Sequence, residues 1–132
     1  MAVHKNPIKE AERYMDNAKQ ILTEKAGKEG NYYSDPKYVK MAGNTAWNGV
    51  LVALDAATDV RKNVKRGARV DIKDYQNAVA KKDRKMTIPL QSTYNILHLL
   101  LGYDGDLNYK IVQEGLKQGK MMINWASKHY EA

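Results

Sequence analysis

Cysteine and phenylalanine are both missing from these 132 residues, and histidine and proline occur only three times each. Without cysteine there is no disulfide, no thiolate metal site and no thiol nucleophile. Stability has to come from an ordinary packed core, and a chain this long buries roughly two-thirds of the surface it exposes when unfolded. Long apolar runs are absent too. The longest, Gly49 to Leu54 and Leu99 to Leu101, fall far short of the ~20 residues a membrane-spanning helix needs. The opening, Met1 to Pro7, has no apolar segment of the signal-peptide kind. The expectation is one domain over residues 1–132, cytoplasmic, neither exported nor embedded in a membrane.

The sparse chemistry limits catalysis further. His4, His98 and His129 stand apart, none paired with another histidine or a carboxylate at metal-ligand spacing. No metal and no cofactor are expected. His98 follows Tyr94 by one helical turn, which predicts a partly buried, hydrogen-bonded ring. The segment Gly115 to Lys120 looks superficially like a phosphate loop, but it is one residue short and lies inside a helical pattern, with no Ser or Thr after Lys120. Gly115 and Gly119 are instead expected to let the last helix approach Ala46, Gly49 and Ala53. Asp104 and Asp106 flank Gly105, where a turn and a helix cap explain them without a calcium loop.

What the chain does have is helical periodicity. Asn6 and Pro7 open a helix to about Lys28, with Ile8, Ala11, Met15, Ala18 and Leu22 on one stripe. Asp35 and Pro36 open a second, to about Asn63, apolar on several sides and therefore central. A third runs from Ile72 to Lys85 behind Asp71. A fourth covers Ile88 to Leu101 with Thr87 as cap, and a fifth follows Asp106 as cap. No segment reads as a strand. Short connections favour antiparallel neighbours, so the fold class is all-α, an antiparallel four- to five-helix bundle. The 29–34 loop carries Tyr32 and Tyr33 and is expected to pack down.

Charge is unevenly spread. The net charge is +7, and the stretch from Arg61 to Lys85 holds ten basic residues against three acidic ones. The rest of the chain is balanced. Arg61, Lys62, Lys65, Arg66 and Arg69 leave the second helix with no acid among them, and Lys81, Lys82, Arg84 and Lys85 end the third. Such segregation is a candidate electrostatic footprint for phosphate backbone, with cations complementing helix C-termini as the plainer reading. Tyr75 is the one aromatic in that segment, and its position predicts burial, so base stacking has little support there. Asn44, Asn48, Asp55 and Asp59 form a polar stripe on the second helix, either its solvent face or a groove. Nine tyrosines suit half-buried sites and interfaces.

Three runs carry a family resemblance: Ala11 to Ala18, Asp35 to Ala42, and Ala46 to Leu54. The layout resembles a HEPN-type bundle, and within that shape a small uncharacterised bacterial domain family. The resemblance implies the bundle, a dimer, and pairing with a partner protein. In HEPN-type ribonucleases an arginine precedes the catalytic histidine by a few residues. Here Gln91, Ser92 and Thr93 precede His98, and Met122, Ile123 and Asn124 precede His129. No catalytic residue carries over, so a non-enzymatic interaction domain that self-associates is expected. The alternative is a nucleic-acid-binding accessory protein using the basic 61–85 segment.

Overall fold

The structure, a computed structural model, describes residues 6–130; His4 lies outside them. Helix α1 spans Pro7–Ile21. The Asn6 side chain accepts from Ile8 N at 3.0 Å and Lys9 N at 3.2 Å, satisfying two of the amides a helix start leaves free. The helix widens into a π turn over Leu22–Ala26 and stops at Gly27, whose φ of +70° a side chain would resist. A hairpin follows that periodicity did not predict. Strands β1 (Lys28–Glu29) and β2 (Tyr32–Tyr33) pair antiparallel, Lys28 opposite Tyr33. Two residues per strand are too few to show alternation. The hairpin is held instead by distant backbone: Tyr33 N donates to Leu107 O and Tyr109 N to Asn31 O. Tyr33 packs down as expected, at 6% exposure, while Tyr32 remains exposed.

Helix α2 spans Pro36–Ala57, with the Asp35 carboxylate accepting from Lys37 N. It ends six residues before the expected Asn63. Thr58 turns extended and its hydroxyl takes the Leu54 carbonyl at 2.7 Å, competing with the helical ladder. A short 3₁₀ turn, Val60–Asn63, follows. Helix α3, Ile72–Lys82, carries a reciprocal capping box between Asp71 and Asp74. It stops at Asp83, before the expected Lys85, and a 3₁₀ turn over Arg84–Met86 leads into α4, Thr87–Thr93. Thr87 does not cap α4; its hydroxyl closes the preceding turn on Arg84 O. Helix α5 is Tyr109–His129, and Asn108, not Asp106, caps it; Asp106 accepts from Asn108 N instead.

Between α4 and α5, Tyr94–Tyr103 is π-helical for ten residues. The wider turn shows at its exit, where Asp104 N reaches back five residues to Leu99 O at 2.9 Å. Such helices are rare and usually a single turn, and they concentrate at functional sites.

Helix α2 is central, packing against α1, α5 and the π-helix. Its buried residues include a run of small ones, Ala42, Gly43, Ala46, Gly49 and Ala53, beside the larger Val39, Trp47, Val50 and Leu54. A Cβ on Gly43 would stand 2.6 Å from Leu101 Cβ and 2.7 Å from Leu97 O, so only glycine lets the π-helix this close. The partners of the other glycines differ from expectation. Gly49 lies against Ala11 and Tyr14 of α1, not against α5, while Gly115 and Gly119 meet Ile96, Leu97, Met15 and Val50. The π-helix runs antiparallel to α2: Gly43 meets Leu101, and four residues later Trp47 meets Tyr94 and His98. Helix α5 runs parallel to α2 instead, Gly105 just before it lying against Pro36 and Gly119 against Val50. The buried apolar residues form one cluster. Among the described residues no helix is long and apolar enough to cross a membrane.

A candidate binding groove beside the basic connection

The basic residues singled out by charge differ in their partners. Arg61 is paired with Asp55 at 3.3 Å and Lys62 with Asp59 at 3.6 Å; such exposed pairs contribute little. Lys65, Arg66 and Arg69 are exposed and make no ion pair among the described residues. A tight turn places them. Ala68 N donates to Lys65 O at 2.8 Å, with Gly67 at φ +82°, the left-handed value a type II turn needs at its third residue. Arg66 therefore sits at the tip. Lys81, Lys82, Arg84 and Lys85 are exposed at the C-terminal end of α3 and just after it, and Lys81 lines a shallow cavity with Asn63 and Val64 of the connection.

Arg69 stands at the lip of a groove of about 550 Å³ between α2, the start of α3 and the π-helix. Its walls are aromatic. Trp47 and Tyr94 meet edge-to-face with centroids 5.4 Å apart, and Tyr94 and His98 lie 5.3 Å apart. Trp47 is 5% exposed and forms the floor, whereas Tyr94 and His98 are half-buried and present ring surface. His98 is partly buried as expected, but its Nδ1 is buried with no hydrogen-bond partner among the described residues. Packing alone holds the ring.

The polar stripe of α2 divides at this groove. Asn44 turns inward, its amide donating to Gly102 O at 3.2 Å and tying the π-helix to α2. Asn48 lines the groove and is exposed. Asp55 is half-buried and accepts from the Tyr75 hydroxyl at 2.7 Å as well as from Arg61. Tyr75 is buried as predicted, at 3% exposure. Burial, then the hydrogen bond and charge of Asp55, push its pKa well above the ordinary tyrosine value, because each penalises a phenolate. Tyr75 is therefore a neutral donor, and its proton is already committed. Asp71, the one acid lining the groove among the described residues, caps α3 with Oδ1.

Trp125 is buried and donates from Nε1 to Asp83 Oδ2 at 3.1 Å. This long-range bond accounts for the early end of α3. His129 stacks on Trp125 at 4.3 Å, with Nδ1 2.9 Å from the Trp125 carbonyl. Among the described residues no group of three or more His, Asp or Glu is placed to hold a metal ion. The polar stripe offered a groove on α2, and Asn44 and Asn48 do line one, while Asp55 and Asp59 do not. Its aromatic wall was missed because the rings come from α2 and the π-helix, far from the charges in chain order.

Among solved structures, a protein of unknown function from Dyadobacter fermentans is similar: 38% identical, TM-score 0.86, with 96% of this chain and 98% of that chain covered. No curated protein matches. The chain belongs to the family described as Domain of unknown function (DUF5618), which its residues 6–128 match.

Proposed function

We propose that this domain is a non-enzymatic binding module for single-stranded nucleic acid, with a base held in the groove and phosphates on Lys65, Arg66 and Arg69. One observation carries the reading: an aromatic groove opens directly beside the acid-free part of the basic connection, with Arg69 common to both. Single-strand binders combine these two elements, because every base has a face to stack and every linkage a charge to neutralise. Half-buried rings suit an unstacked base and not a duplex. Arg61, Lys62, Lys81, Lys82, Arg84 and Lys85 take a secondary part, since the first two already have partners and none of the six lines the groove. The non-enzymatic part rests on the residues near the groove. Tyr75 is held protonated, and no arginine stands a few residues before His98, so the arginine–histidine pair of HEPN-type nucleases is not found there.

The test is fluorescence anisotropy with labelled single-stranded RNA and duplex DNA, at low and near-physiological salt. Single strands should bind, more weakly as salt rises. The double change Arg66→Glu, Arg69→Glu should abolish binding and Tyr94→Ala should weaken it. Unchanged affinity in both variants would remove this site.

A second reading, self-association or docking on a partner protein, is favoured by Ile88 and Tyr103, 79% and 77% exposed. A dimer by sedimentation equilibrium that Ile88→Asp or Tyr103→Asp dissociates is its expected result. A monomer at high micromolar concentration would contradict self-association.

A further inference from the structure

A second groove, of about 440 Å³, lies where the π turn of α1, the hairpin and the first turns of α5 meet. It shares no residue with the first. Among the described residues that line it there is no carboxylate, while two lysines, Lys19 and Lys28, border it. Neither lysine has an ion pair among the described residues. Lys28 is nonetheless positioned: its ammonium lies 3.8 Å above the centroid of the Tyr109 ring, a cation–π contact that orders the side chain.

Tyr33 is the unusual residue here. It is 6% exposed, and its hydroxyl accepts a hydrogen bond from Gln113 Nε2 at 3.0 Å. A phenol also carries one proton to donate, and among the described residues no acceptor takes it. The residue lines the groove, so an acceptor bound there can take this proton in place of water. Burial raises the pKa of Tyr33 above that of a free tyrosine, and the hydroxyl stays a donor at neutral pH. Leu22 and Leu116, both buried, add an apolar wall. The groove therefore combines donors and cations with hydrocarbon in one lining.

We infer that this groove binds a small amphipathic carboxylate, one oxygen accepting from the Tyr33 hydroxyl, the charge facing the Lys28 ammonium, and the apolar part against Leu22 and Leu116. Lys19 adds charge at the rim. The inference stands on observations independent of the nucleic-acid reading. The carboxylate could come from a free acid or from the C-terminus of a peptide, and the probes distinguish these.

The experiment is a ¹⁵N NMR titration of the whole chain with hexanoate, N-acetylleucine and, as the uncharged control, hexanamide. Hexanoate should shift the amides of Lys28, Tyr33, Gln113 and Leu116 saturably and leave those of Tyr94 and His98 in place. Tighter binding of N-acetylleucine than of hexanoate would favour a peptide terminus, and the reverse a free acid. Lys28→Met and Tyr33→Phe should each weaken hexanoate about tenfold, as loss of one charge-assisted hydrogen bond does. Lys28 is exposed, so its variant tests the site without touching the core. The inference is overturned if neither acid shifts these amides saturably at millimolar concentration. An equal response to hexanamide, or undiminished binding by Lys28→Met, would overturn it as well.

Discussion

The two grooves share two features and use a buried tyrosine hydroxyl in opposite ways. Each lies beside a π-helical segment, Leu22–Ala26 for one and Tyr94–Tyr103 for the other. Each has a buried tyrosine with a raised pKa at its wall. In the groove beside the basic connection the Tyr75 hydroxyl donates to Asp55, so its proton is committed and the residue is structural. In the groove beside the hairpin the Tyr33 hydroxyl receives from Gln113, so its proton remains available. The partner of a buried hydroxyl, more than its burial, decides whether the group braces the fold or awaits a ligand. Recognition in the first groove is left to exposed ring faces and arginine; in the second it falls to a phenol and a lysine.

The comparison can be broken most severely at the base of the first groove. Gly43→Val should destabilise the fold by about 3 kcal/mol, near the upper end for overpacking, because the Leu97 carbonyl that obstructs a Cβ is backbone and cannot swing aside. Urea denaturation reads this directly. Next, Tyr94→Ala should reduce single-strand affinity by about 2 kcal/mol, within the range for loss of one stacked base, and leave hexanoate binding unchanged; anisotropy and NMR report the two. The tyrosines themselves sharpen the contrast. Tyr75→Phe should cost about 1.5–2 kcal/mol, since it removes a hydrogen bond to a charged acceptor. Tyr33→Phe should cost about 0.5–1 kcal/mol, since it removes a neutral one. The expected order, Tyr75 above Tyr33, is the one to check in a single series of melts. Smallest is the pH effect. Both folded tyrosines hold their protons above the free value of 10.0. Their contribution is therefore complete below that pH and is lost as pH rises through the folded values, because the unfolded chain ionises first. Tyr75→Phe should flatten the alkaline decline more than Tyr33→Phe.

Much of the fold was legible because the signals for it are local. Asn6, Asp35 and Asp71 cap the helices they precede, and the many-sided apolar pattern of α2 marks it as the centre. The errors lie where a distant group decides. Asp83 ends α3 while hydrogen-bonded to Trp125, 42 residues further on. The hairpin has no period of its own and leans on the backbone of Leu107 and Tyr109. The π segments keep an apolar pattern much like that of an α-helix, so periodicity does not separate them. Charge pointed to the 61–85 segment, yet the rings that give it a groove come from Trp47, Tyr94 and His98, which no spacing connects to Arg69. The second groove had less signal still: Tyr33 and Gln113 are 80 residues apart.

The central claim is that a base enters the groove over Trp47. Its most direct test is the fluorescence of the Trp125→Phe variant, in which Trp47 is the one remaining tryptophan. Titration with oligoribonucleotide at low salt should perturb that emission saturably. The midpoint should move to higher concentration as salt is added, and the response should vanish when Arg66 and Arg69 are changed to Glu. An emission that stays constant while anisotropy reports bound RNA would place the nucleic acid elsewhere, and no binding at low salt would contradict the claim outright.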